Sequence, residues 1–296
     1  MNFQLLRGKD LWQCVQLWAN CKILSVGQLP RLQRLYLKGM QELQELEELQ
    51  DKRPQGNNVI LEKLKIHNCS KLTKLPSFPK LRKLKIKKCV SLETLPATQS
   101  LMFLVLVDNL VLQDWNEVNS SFSKLLELKV NCCPKLHALP QVFAPQKLEI
   151  NRCELLRDLP NPECFRHLQH LAVDQECQGG KLVGAIPDNS SLCSLVISNI
   201  SNVTSFPKWP YLPRLKALHI RHCKDLMSLC EEEAPFQGLT FLKLLSIQCC
   251  PSLTKLPHEG LPKTLECLTI SRCPSLESLG PKDVLKSLSS LTDLYI

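Results

Sequence analysis

The sequence predicts an α/β solenoid, a horseshoe whose concave side is a parallel β-sheet and whose convex side is irregular or short-helical. Two tandem copies of one pattern predict it most directly. LEKLKIHNCSKLTKLP (61–76) and LRKLKIKKCVSLETLP (81–96) match at Leu, Leu, Ile, Cys, Leu, Leu and Pro, and self-similarity at a short fixed period marks a repeat architecture. The same skeleton recurs along nearly the whole chain at spacings of 20 to 29 residues. Composition agrees: hydrophobic residues make up 44% of the chain and aromatics only 5%. The core is therefore aliphatic, which suits thin layers that each contact only their neighbours.

Each unit contributes to a layer in the same way. In LxxLxI the second Leu and the Ile lie two residues apart, on one face of a strand, and the residues beside them face solvent. Three residues further on, Cys69, Cys89, Cys133, Cys153, Cys223, Cys250 and Cys273 occupy one slot. A side chain that recurs once per unit fills a core position, where Cys acts as a small hydrophobe. Asn68, Asn109 and Asn131 stand at or beside this slot and are expected to hydrogen-bond the turn. The trailing Leu-xx-Leu-Pro returns two leucines to the core, and its proline favours an extended outer segment. Inner strands spaced about 4.8 Å apart, with bulkier outer segments, curve the stack.

Taken in order, residues 1–30 are a degenerate N-terminal segment in which Leu11, Cys14, Val15 and Leu17 form a weak strand pattern. Residues 31–296 are one continuous array of about twelve units. It opens at Leu32-Leu35-Leu37 with Met40 in the Cys slot. Here QELQELEELQD (41–51) places leucines at 43, 46 and 49, which predicts one short helix on the outer side. Residues 51–58 read as an exposed loop. After the doublet, Asn109 stands in the Cys slot, Pro145 opens a unit in place of Leu, and Ile200 takes the slot again. The final unit, Leu291-Leu294-Ile296, is truncated, and the chain is expected to be part of a longer protein.

Several chemistries find no support. The chain has 16 cysteines, but thiols used as core filler fit a reducing compartment better than a disulfide framework. The start lacks a secretory leader, and no apolar run of about 18 residues suggests a membrane span, so a cytoplasmic location is expected. Gly8-Lys9 has neither the second glycine nor the following Ser/Thr of a phosphate loop. His219, His222 and Cys223, and the His167/His170 pair, fall short of the four convergent ligands of a zinc site. Cys132-Cys133 and Cys249-Cys250 are adjacent pairs rather than CxxC motifs. No Ser/His/Asp grouping stands out. Neither catalytic residues nor cofactor nor metal is expected, and the chain does not read as an enzyme.

Binding is the better reading, because the outward strand positions form columns along the concave face. The candidate partner-binding residues are Arg34, Tyr36 and Lys38; Lys63, Lys65 and His67; Lys83, Lys85 and Lys87; and the apolar Phe103, Val105 and Val107. Residues 61–90 hold ten Lys/Arg and one acid, Glu62, within a chain of net charge +9. Stacked like charges beside an apolar column suggest a protein partner with an acidic surface. Nucleic acid is not expected, since only Tyr36 and His67 offer stacking within the basic stripe.

The phrases LKIHNCSKLTKLP, LKIKKCVSLETLP, LTISRCPSLESLG and GQLPRLQRLYLKGM resemble the leucine-rich repeats of plant intracellular disease-resistance proteins of the coiled-coil, nucleotide-binding class. The resemblance covers nearly the entire chain. It implies a leucine-rich repeat horseshoe that takes part in recognising a pathogen effector or host target. It also implies autoinhibitory contacts with a nucleotide-binding domain, which is the intramolecular partner in full-length relatives and is not present in this sequence. Nucleotide binding is therefore not carried over. The alternative is a substrate-recruiting subunit of a ubiquitin ligase or another intracellular scaffold. It would need an F-box segment, for which residues 1–30 are too short and irregular.

Overall fold

Alternation of apolar and polar residues in each LxxLxI segment produces a strand at every unit. The computed structural model describes residues 20–296 apart from 27–30, 48–59, 97, 116–121, 141–143, 158–160, 175–182, 184, 185, 189, 201, 207–210, 230–235, 237, 257–260, 278 and 280–287. In chain order the strands are β1 (Ile23–Ser25), β2 (Arg34–Lys38), β3 (Glu45–Glu47), β4 (Lys63–His67), β5 (Lys83–Lys87), β6 (Thr94–Leu95), β7 (Phe103–Val107), β8 (Asp114–Trp115), β9 (Glu127–Asn131), β10 (Lys147–Asn151), β11 (His170–Asp174), β12 (Ser194–Ser198), β13 (Ala217–Arg221), β14 (Leu244–Gln248), β15 (Cys267–Ser271) and β16 (Asp293–Tyr295). Twelve of these form one sheet in the order β2-β4-β5-β7-β9-β10-β11-β12-β13-β14-β15-β16. All pairings are parallel and position-for-position, so Leu35, Leu64, Leu84 and Leu104 lie opposite one another. This is the predicted parallel-strand solenoid with leucine-rich repeat geometry. Among the described residues no helix is long and apolar enough to cross a membrane.

The inward leucines from Leu64 to Leu268 are at most 3% exposed, each worth about 2 kcal/mol of apolar burial. The slot cysteines do more than fill space. The thiols of Cys69, Cys89, Cys133, Cys153, Cys223, Cys250 and Cys273 each donate to the carbonyl two residues earlier, at 3.4 to 3.8 Å. Burial pushes the Cys89 and Cys133 thiols up to about 12, so they remain protonated donors. Where Asn109 replaces Cys, its Oδ1 accepts from the Cys89 N–H at 3.1 Å and its Nδ2 donates to the Ile86 carbonyl at 3.2 Å. That is the expected turn role. Asn131 acts differently, accepting from the Cys132 thiol at 3.2 Å.

The residue just before the slot is left-handed in almost every unit. Gly39, Asn68, Lys88, Asp108, Cys132, Arg152, Asn199, His222, Cys249 and Arg272 all have φ between 53° and 70°. This conformation costs an L-residue roughly 1 to 2 kcal/mol. The turn frees the N–H to reach the next unit: Lys88 donates to the Val107 carbonyl at 2.9 Å and Cys249 to the Ser271 carbonyl at 2.9 Å. Arg152 differs, donating instead to the carboxylate of the buried Asp174 at 2.8 Å.

Two expectations need correction or completion. The short helix expected from residue 41 does not form. Gln41 and Glu42 make a turn and Glu45–Glu47 is the strand β3, while the remainder of the segment, including Leu49, lies outside the described residues. The backbone N–H groups of Gln44 and Glu45 donate to the Lys22 carbonyl at 2.8 and 3.2 Å, and β3 pairs with β1. Pairing between units took the donors a helix would have used, and Leu43 and Leu46 are the buried trailing pair of their unit. Among the described residues the outer side is mostly extended, with a 3-10 turn at Pro162–Phe165. The strand pattern over Leu11 to Leu17 also lies outside the described residues. A further core position went unread, three residues before the first leucine: Phe78, Phe122, Phe165, Leu212, Leu239 and Leu288 are buried there, and each carbonyl closes a turn onto that leucine's N–H.

Candidate interaction face

The parallel register brings the sequence-predicted residues together as a patch. One column runs Arg34, Lys63, Lys83, Phe103; the central one Tyr36, Lys65, Lys85, Val105; the third Lys38, His67, Lys87, Val107. Over β2, β4 and β5 the solvent-facing positions contain seven cations (Arg34, Lys38, Lys63, Lys65, Lys83, Lys85, Lys87) and no acid. None of these seven takes part in an ion pair among the described residues. Lys85 sits at the centre. Burial, then the ammonium groups of Lys87, Lys65 and Lys129, hold its pKa below the usual lysine value.

Aromatic rings flank this patch on both sides. The ammonium groups of Lys65 and Lys63 lie 4.9 and 6.0 Å from the Tyr36 ring, and that of Lys83 lies 4.3 Å from the Phe103 ring. Tyr36 is 53% exposed, whereas Phe103, Val105 and Val107 are each half-buried. The apolar column expected as an open patch is therefore a partly shielded one, with Lys83 over its aromatic end. These cation–π contacts were not predicted, although the register Lys83 opposite Phe103 follows from aligning the two LxxLxI segments.

The charge pattern changes at β9. Glu149, at the middle of β10, accepts from Lys129 of β9 and, at 2.8 Å, from Lys147, and His170 of β11 approaches it to 3.9 Å. Burial pushes the Glu149 carboxyl up, but the hydrogen bonds from Lys129 and Lys147 outweigh it and hold the pKa below the ordinary value. This knot pairs both lysines with one carboxylate and ends the run of unpaired cations. On the same face, burial first and then Lys147 lower the pKa of His170, and burial with Arg221 and His170 lowers that of His219.

The residues weighed as metal ligands diverge. His219 faces the concave side, His222 occupies the exposed left-handed turn and Cys223 is in the core with its thiol on the Arg221 carbonyl. Among the described residues no group of three potential ligands comes together. Cys132 and Cys249 are turn residues, while their neighbours Cys133 and Cys250 are buried in the slot.

No protein-family profile and no curated protein matches the chain. Solved structures do. It is similar to a leucine-rich repeat protein from Bacteroides ovatus, with 12% identity and a TM-score of 0.41 over 94% of this chain and 74% of that one. It is also similar to the leucine-rich repeat domain of the type III effector XopL, with 18% identity and a TM-score of 0.31 over 96% and 79% of the two chains. A third is the plant peptide hormone receptor RGFR1 in complex with RGF2, with 15% identity and a TM-score of 0.42 over 93% of this chain and 49% of the receptor. At these values none of the three bears on what this chain does.

Proposed function

We propose that the chain is a protein-recognition scaffold that docks an acidic protein surface on the basic end of its concave sheet, from β2 to β7. The observation that carries this reading is the register of Lys63, Lys65 and His67 against Lys83, Lys85 and Lys87 with no facing carboxylate on these strands. Unneutralised cations on adjacent strands repel one another, and carboxylates from a partner relieve that repulsion. Such a field also steers encounter and rejects basic partners. Tyr36 and Phe103 add the large, semi-rigid contact area that anchors interfaces.

The resemblance supports a finer reading: a cytoplasmic module of a plant immune receptor, with residues 31–296 as one continuous array behind a degenerate N-terminal segment. In that setting the acidic surface belongs to the receptor's own nucleotide-binding domain, and the scaffold both restrains that domain and contributes to recognition of an effector or host target. Replacing Lys63, Lys65, Lys83 and Lys85 by Glu in a full-length receptor tests this. Signalling without a pathogen trigger is the expected result, and unchanged signalling contradicts the reading.

A further inference from the structure

Beyond β11 the concave face carries almost no charge. Among the solvent-facing positions of β12 to β15, Arg221 is the only residue with a permanent charge. Its Nε is buried and has no hydrogen-bond partner, and the same holds for Nδ1 of His219, two residues earlier on the same face of β13. The register seats Arg221 between Ser198 and Gln248, and His219 between Val196 and Ser246. The acids of β11 and β10 on this face are engaged elsewhere. Asp174 of β11 accepts the Arg152 N–H at 2.8 Å, and Glu149 of β10 is held by Lys129 and Lys147.

A buried guanidinium donor without an acceptor is unfavourable, because its lost hydration is not replaced. An acceptor beside the Arg221 Nε would satisfy it, and a negatively charged one suits a guanidinium best. We propose that Arg221 and His219 form a subsite for a single carboxylate borne by the protein partner that docks on this concave face. Arg221 supplies the fixed charge and a planar pair of donors that matches a carboxylate. His219, whose pKa burial and Arg221 hold below the usual imidazole value, supplies a second donor in the tautomer that carries its proton on Nδ1. One fixed charge and one neutral donor suit a monoanion better than a phosphate dianion. Six strand spacings separate β13 from β5, or about 29 Å at the spacing of a β-sheet. The partner therefore presents an acidic cluster and, about that far away, one isolated acidic side chain.

The inference rests on the concave face being the partner-binding face, but its test does not use the lysine patch. In the full chain with 15N-labelled arginine, the Arg221 Nε–H resonance is assigned by its loss in Arg221→Gln. It is then followed while acetate, inorganic phosphate or chloride is added at matched ionic strength. The expected result is a saturable downfield shift with acetate, at a half-saturation concentration roughly tenfold below that for chloride. The shift should be weakened in His219→Ala and retained when Lys63, Lys65, Lys83 and Lys85 are replaced by Glu. Retention there keeps this subsite distinct from the basic patch whatever that patch binds. A shift that does not saturate, equal shifts for acetate and chloride, tighter saturation by phosphate, or loss of the shift in the lysine variant would each overturn the proposal.

Discussion

The turn before each core slot shows how the stack overrides residue preference. Lys88, Cys132, Arg152 and Arg272 belong to types with no preference for it, yet all are left-handed. In all of these turns but Arg272, a hydrogen bond from the turn N–H to the adjacent unit accompanies it. This feature was only partly legible in the sequence, because Gly39, Asn68, Asp108, Asn199 and His222 are types that favour such a turn and the other five residues are not. The slot cysteines, by contrast, were legible as core residues from their recurrence alone. Lys88→Gly removes the left-handed strain but adds backbone freedom to the unfolded chain, and the first effect is the larger. A gain of about 0.5 kcal/mol is expected from urea unfolding, and a loss of stability contradicts this account of the turn.

At the scale of the single unit, the slot is where a layer is tied to the next. The slot thiols donate to a carbonyl of their own unit, whereas the Asn109 amide bonds two backbone groups of the preceding unit and is fully buried. Asn109→Ala leaves both partners unsatisfied and should cost about 3 kcal/mol. Asn109→Cys, the residue most other units use, should recover part of that loss in the same unfolding measurement. The helix expected over 41–51 is absent from its described part, 41–47: leucines three apart fit a helix and a trailing Leu-xx-Leu pair equally well. What decided between them was the Lys22 carbonyl, which no local pattern reveals.

The β11 and β13 histidines add a pH dependence. Burial, and next to it Lys147 for His170 and Arg221 for His219, depress both pKa values. The unfolded chain therefore binds more protons than the folded one below about pH 6.5. The stabilisation is fully present above that pH and is lost as pH falls through the depressed folded values. The melting temperature should fall between pH 7.5 and 5, and the double variant His170→Gln, His219→Gln should show a shallower fall. An identical pH profile for the variant contradicts the assignment.

Across the whole molecule, the sheet organises charge into zones. An unneutralised basic field spans β2 to β5, the Glu149 knot closes it at β9 to β11, and β12 to β15 present an almost uncharged face with Arg221 as its exception. The basic zone was readable in advance, because the LxxLxI alignment alone puts Lys63 beside Lys83 and Lys65 beside Lys85. The knot and the orphaned donors were not, because they depend on how long side chains settle across neighbouring strands. Net charge alone would attract any polyanion to any lysine, so the claim that this one face is the docking surface needs a control of equal charge elsewhere. The direct measurement is fluorescence anisotropy of a labelled poly-glutamate peptide at low salt. It compares the native chain, the variant with Lys63, Lys65, Lys83 and Lys85 changed to Glu, and a second variant with the same change at Lys71, Lys124, Lys135 and Lys224. The account predicts a loss of at least roughly tenfold in affinity for the first variant and a much smaller loss for the second; equal losses in the two would contradict it.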